Sequence, residues 1–95
     1  MGKMFNPPHP GGLVKESMES LDLSARGLAK ALSVAPSTVQ RLIAKKADVS
    51  PEMALRLAIV LGGTADVWLG MQRDFDLWQA RQSLDLSGLH RLQVA

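Results

Sequence analysis

The chain has 95 residues, a net charge of only +2 from 11 lysines and arginines against 9 aspartates and glutamates, and no cysteine. That length suits one domain with a single small core, and the missing thiols exclude a disulfide framework and a thiolate zinc site. No apolar run approaches the ~18 residues of a membrane span, and the opening MGKMFNPPHPGG lacks the apolar centre of a signal peptide, so a cytoplasmic protein without membrane contact is expected.

Residues 1–12 contain Pro7, Pro8, Pro10, Gly11 and Gly12, which oppose a regular helix and read as an extended arm. A first helix is expected from about Leu13 to Leu21, with Leu13, Val14, Met18 and Leu21 on one side and Lys15, Glu16, Glu19 and Ser20 towards water. The next segment, SARGLAKALSVAPSTVQRLIAKK over residues 24–46, places Leu28, Ala29 and Leu32 on one stripe, turns inward at Val34, and places Val39, Leu42 and Ile43 on a second stripe. Two short helices crossing at a steep angle explain that pattern. Ser24 reads as the N-cap of the first of them, and Pro36 after Ala35 as the start of the second, since proline lacks only an N–H that has no helical partner there. Ala29 is small where the two helices must approach.

After a loop over residues 47–50, Ser50, Pro51 and Glu52 announce a fourth helix, Pro51 to Leu61. Its Met53, Ala54, Leu57, Ala58, Val60 and Leu61 are apolar over more than one face, which suggests the central helix of the core, and Gly62-Gly63 ends it. Thr64 caps a fifth, longer helix that continues from Asp66 to about Arg81. In it Trp68, Met71, Phe75 and Trp78 share one stripe. Trp68 and Leu69 are expected to close the core. Phe75 and Trp78 lie two to three turns beyond what so small a core covers and are assigned to a subunit interface. The organisation is thus an arm (1–12), a helical domain (13–82) and a tail (83–95) whose Leu84, Leu86, Leu89, Leu92 and Val94 are interrupted by Gly88, leaving strand, helix fragment or disorder open.

Charge and pattern coincide in residues 24–46, which hold Arg26, Lys30, Arg41, Lys45 and Lys46, all off the apolar stripes, and no acidic residue. Residues 1–50 carry seven basic and four acidic side chains, a net +3, and residues 51–95 four and five, a net −1. A local basic excess of this kind is the footprint of phosphate recognition. A plain helical hairpin with basic outer faces is the competing structural reading, although a merely solvated face usually mixes its signs.

The spacing of residues 24–46 resembles the helix-turn-helix of the phage-repressor and Cro (XRE) type, with Leu28, Ala29, Leu32, Val34, Val39 and Leu42 on the positions that family buries. It departs from the pattern at Ser33, where glycine is usual, and at Ala44-Lys45, which replaces a common Asn-Gly. Ser33 must then take up a left-handed or strained turn conformation. Over about residues 6–82 the chain resembles HigA-type antitoxins, through NPPHPGG before the first helix, SPEMALRLA entering the fourth and WLGMQRDFDLWQAR in the fifth. The resemblance implies an all-α, five-helix phage-repressor-like domain with a longer last helix. It also implies a bacterial homodimer that represses its own operon and binds a HigB-type toxin, an mRNA-cleaving ribonuclease.

If the second motif helix enters the major groove, Ser37, Thr38 and Arg41 face the bases with Gln40 at the flank. Arg41 is the foremost base reader, because its fork matches guanine O6 and N7. Lys45 and Lys46 after the helix, and Ser24, Arg26 and Lys30 on its neighbour, suit phosphates. The resemblance leaves open which surface meets the toxin; the arm and first helix are our assignment.

Two rivals remain. An enzyme would need more than His9, His90 and the scattered Asp66, Asp74 and Asp76, of which the last two point to different sides of a helix, so no catalytic residue, cofactor, metal or small-molecule substrate is expected. A repressor without a toxin, or a protein-interaction module with only nonspecific DNA affinity, is the stronger alternative.

Overall fold

Local chemistry sets the helix boundaries in the computed structural model, which describes residues 6–93. The elements are α1 (Pro10–Leu21), α2 (Ala25–Leu32), α3 (Pro36–Ile43), α4 (Pro51–Leu61) and α5 (Ala65–Ser83), with no strand among the described residues. Ser24, Ser50 and Thr64 each accept a backbone N–H in the first turn of the helix they open, from Gly27 at 3.0 Å, Met53 at 3.1 Å and Val67 at 3.1 Å. Caps of this kind contribute about 1 kcal/mol each. α4 ends at Gly62 and Gly63, whose φ values of 102° and 78° are free of strain only for glycine.

The start of α1 differs from expectation. The helix begins at Pro10, not Leu13, because His9 caps it: its Nδ1 accepts the Gly11 N–H at 2.9 Å, and Pro10 occupies the first helical position, where its missing donor is not needed. Residues 10–12 therefore belong to the helix. Residues 6–9 are non-helical, yet Pro7 and His9 are buried, so this stretch is part of the packed body and not a free arm. Residues 1–5 of the expected arm lie outside the described residues. The buried face of α1 is Pro10, Gly11, Val14 and Met18, so of the expected stripe Val14 and Met18 are covered while Leu13 and Leu21 are 41% and 57% exposed.

One core forms from Val14, Met18, Leu28, Ala29, Leu32, Val39, Leu42, Val49, Met53, Ala54, Leu57 and Trp68. α2 packs on α3 and α4, α4 on α5, and α1 across both α3 and α5. α4 is more one-sided than its composition suggests. Met53, Ala54 and Leu57 are buried, while Leu55 and Ile59 are 59% and 85% exposed, because its neighbours all lie on one side.

α5 is ~28 Å long at 1.5 Å per residue. Of its side chains only Trp68 and Gln72 are buried, and the Trp68 Nε1–H donates to the Gly62 carbonyl at 3.0 Å, locking the turn between α4 and α5. Residues 84–93 are exposed and form no regular element beyond a turn in which Asp85 accepts from the Ser87 N–H and hydroxyl at 3.1 and 2.7 Å. The radius of gyration is 16.6 Å, against about 12 Å for a compact chain of this length, so the end of α5 and residues 84–93 project beyond the core. Among the described residues no helix is long and apolar enough to cross a membrane.

Candidate nucleic-acid interface

α2 and α3 bury the side chains that the spacing selected: Leu28, Ala29, Leu32, Val39 and Leu42 are fully covered, and Val34 and Ile43 are half-buried. Ser33 closes α2 in the left-handed conformation, φ 59° and ψ 46°. There its own N–H bonds to the Lys30 carbonyl at 3.2 Å, and the Val34 N–H bonds to the Ala29 carbonyl at 2.9 Å. A residue with a Cβ in this region costs about 1–2 kcal/mol. Lys45 repeats the device after α3 at φ 63°, its N–H bonding to Leu42 and that of Lys46 to Arg41, at 3.0 and 2.9 Å. Both departures from the usual glycine are thus accommodated by left-handed non-glycine residues.

The outer faces follow helical spacing. On α3, Ser37, Gln40 and Arg41 are exposed and Thr38 half-buried, with Ser37 and Arg41 one turn apart on the same side. On α2, Arg26 and Lys30 are likewise one turn apart and exposed, as are Lys45 and Lys46 beyond α3. The Ser24 hydroxyl is exposed and already engaged as a cap. Lys30 and Arg41 also sit in the last turns of their helices, where a cation is favoured by the helix dipole. Among the described residues, neither ion pair involves these five cations; the pairs are Arg56–Glu52 at 2.7 Å and Arg73–Asp74 at 3.2 Å.

Three supporting residues, Arg56, Gln72 and Gly11, lie within the three family-like stretches quoted above, but the sequence assigned none of them a role. Arg56 reaches from α4 to the turn of the motif, its Nη1 donating to the Leu32 carbonyl at 2.7 Å and reaching that of Ser33 at 3.5 Å. Its Nε and Nη2 both donate to Glu52 Oε2, at 3.1 and 2.7 Å. The four-residue spacing of Glu52 and Arg56 signals an ion pair on one helix face, but not the remote carbonyls. Gln72 is buried on α5. Its Oε1 accepts the Val49 N–H at 2.8 Å and its Nε2 donates to Asp76 at 2.9 Å and Asp48 at 3.3 Å, fastening the segment after α3 to α5. Gly11 lies where any Cβ would collide with the Leu42 carbonyl oxygen at the end of α3.

His9, which holds Gly11 in place, stacks edge-on against Phe75, with ring centroids 5.0 Å apart and planes at 77°. Burial pushes its pKa below the ordinary 6.5 and Lys45 pushes the same way, while Asp48, Asp76 and the Ala47 backbone oppose them. The imidazole is therefore held neutral, as an Nδ1 that accepts a hydrogen bond must be. Phe75 and Trp78, assigned to an interface, are half-buried, 6.4 Å apart, and Phe75 is partly covered by His9 of the same chain. His90 is exposed, and Asp74 and Asp76 are bonded to Arg73 and Gln72, so these groups do not converge on one site.

An apolar groove of about 240 Å³ lies on another side of the body, lined by Leu13, Ser17, Leu61, Val67, Trp68 and Met71.

Comparison with known proteins gives a consistent picture. A family model described as helix-turn-helix matches residues 14–68. The uncharacterized HTH-type transcriptional regulator YddM of Escherichia coli strain K12 is 42% identical over 95% of this chain and 96% of its own length. Among solved structures, antitoxin GraA in complex with its operator superposes with a TM-score of 0.85 at 36% identity, covering 99% of both chains. Pseudomonas aeruginosa antitoxin HigA with the higBA promoter superposes at 0.78 and 31% identity, over 81% of this chain and 85% of that one.

Proposed function

The chain belongs to the helix-turn-helix family, and we propose that it is an antitoxin that represses its own operon and neutralises a HigB-type, mRNA-cleaving toxin. The observation that carries this reading is the likeness, along nearly the whole chain, to an antitoxin held with its operator. The acid-free run of residues 24–46 supports the same reading independently, since a protein that only binds a toxin does not require it.

In this mechanism α3 enters the major groove. Arg41 reads guanine with its fork, Ser37 and Thr38 donate to a base or phosphate, the Thr38 methyl lies against thymine, and Gln40 contacts the flank. Arg26 and Lys30 on α2 and Lys45 and Lys46 beyond α3 neutralise phosphates, which sets affinity and salt dependence without reading sequence, and the hydroxyl of Ser24, the cap of α2, donates to a phosphate oxygen. A homodimer built on Phe75 and Trp78 of α5 places two copies of α3 on half-sites about 34 Å apart. The toxin-facing surface is assigned to the N-terminal arm and α1, whose Leu13 and Ser17 border the apolar groove.

Binding to a duplex from the chain's own promoter and to a scrambled duplex, across several salt concentrations, tests the repressor half. A promoter preference with a steep salt slope is expected; equal binding at every salt removes sequence-specific repression. Co-purification with the product of the adjoining gene tests the toxin half. The likeness to a transcriptional regulator, YddM, favours the second reading, a repressor without a toxin, should no complex form.

A further inference from the structure

We propose that Arg56 is a positioning residue for DNA recognition, holding the turn between α2 and α3 so that α3 meets the groove at a fixed angle. The inference rests on the operator-binding reading. Three observations lead to it. First, the start of α3 has little of its own to hold it: Ala35 gives no side-chain cap, and among the described residues the side-chain hydrogen bonds to residues 32–36 come from Arg56 alone. This is the end of α3 that carries Ser37 and Thr38.

Second, Leu32 ends α2, and its carbonyl is one of those a helix leaves without an internal partner. Arg56 supplies that partner at 2.7 Å from another helix, 24 residues away in sequence. The left-handed backbone of Ser33 turns the next carbonyl towards the same nitrogen, at 3.5 Å. The strained residue and the guanidinium are therefore parts of one device, in which Arg56 supports the conformation that glycine would adopt unaided.

Third, Glu52 fixes the fork. It takes the Nε and Nη2 edge of the guanidinium and so leaves Nη1 pointing at the turn. A lysine ammonium has no such second edge and cannot be aimed in this way. The Arg56 side chain is 35% exposed, so a direct phosphate contact is the alternative that a test must separate from positioning.

Four variants decide it: Arg56→Ala, Arg56→Lys, Ser33→Gly and the Arg56→Ala/Ser33→Gly double. Each is titrated with operator and scrambled duplex over a range of salt, below the temperature at which circular dichroism shows unfolding. Arg56→Ala is expected to lose about tenfold in operator affinity while scrambled DNA binding and the salt slope stay unchanged. Arg56→Lys should fail to restore the loss, and Ser33→Gly should recover most of it. Glu52→Gln, which keeps the guanidinium but weakens its anchor, should show an intermediate loss and serves if Arg56→Ala does not fold.

Amide exchange of the DNA-free protein adds a readout independent of the operator. Ser33 and Val34 should exchange about tenfold faster in Arg56→Ala, relative to the amide of buried Leu57. Equal losses on both duplexes with a salt slope reduced by about 1 would make Arg56 a phosphate contact and overturn the proposal. So would a lowered melting temperature with operator preference and turn exchange both intact. If the unaltered protein shows no operator preference, the operator reading falls, and the exchange rates still report whether Arg56 holds the turn.

Discussion

Gly11 and Gly12 are adjacent in the first turn of α1, and replacing each by alanine should move stability in opposite directions. At Gly11 the new Cβ would collide with the Leu42 carbonyl oxygen and come within 3.1 Å of His9 Nδ1. The obstacle is backbone at the end of α3, so no flexible side chain can swing away and α1 itself must shift. Overpacking of this sort costs about 1–3 kcal/mol, and alanine's better helix propensity returns at most about 1 kcal/mol. At Gly12 nothing lies within 4 Å of the added carbon, so only the propensity gain, about 0.5–1 kcal/mol, applies. Because the obstacle is backbone the cost falls at the upper end of that range, leaving a net loss of about 2 kcal/mol; with ~4–8 °C per kcal/mol for a domain of this size, Gly11→Ala should melt ~8–16 °C lower and Gly12→Ala ~2–8 °C higher. Thermal unfolding followed by circular dichroism measures both. A Gly11→Ala protein as stable as the parent would refute the close approach of α1 to α3.

Further outcomes are expected. Arg41→Ala should lose operator preference with little change on scrambled DNA, whereas Lys46→Ala should weaken both alike and lower the salt slope by about 1; competition titrations distinguish the two. Trp78→Glu should yield monomers with weak operator affinity, and an unchanged elution volume on a sizing column would move the interface off this part of α5. His9 has a folded pKa below its unfolded 6.5, so the folded state binds fewer protons. Its stabilising contribution is thus intact above about pH 6.5 and falls as pH drops below it. The melting temperature should decline through that window, and His9→Asn, which keeps a capping oxygen, should flatten the decline; an identical pH profile in the variant would exclude His9 as its source.

The helix-turn-helix was legible in the sequence because its determinants are local: a stripe, a capping serine, a proline after the turn, a second stripe. The same holds for α4 and α5, whose caps lie at Ser50 and Thr64 as the sequence indicates. What escaped depends on contacts between distant residues. Pro7, Pro10, Gly11 and Gly12 taken one by one oppose helix; the cap that starts it, His9, is only two residues from Gly11, but what buries that histidine is Phe75 on a distant helix. Arg56 and Gln72 act on backbone groups 23 or 24 residues away, and no side-chain pattern advertises a backbone partner. The exposure of Leu55 and Ile59 was hidden for a related reason: composition reports how apolar a helix is, not how many neighbours it has.

Asp22 and Ser33 cap the ends of α1 and α2, Lys45 follows the cap of α3, and all three hold a left-handed backbone without being glycine. The domain therefore contains a ranked set of sites for raising its shelf life. Glycine at Asp22 or Ser33 should gain about 0.5–1 kcal/mol, the relief of the Cβ clash less the greater freedom of glycine in the unfolded chain. The same exchange at Lys45 would remove one of the proposed phosphate contacts beside α3. On the proposed DNA-binding mode, durability and DNA affinity are separable at the first two positions and opposed at the third.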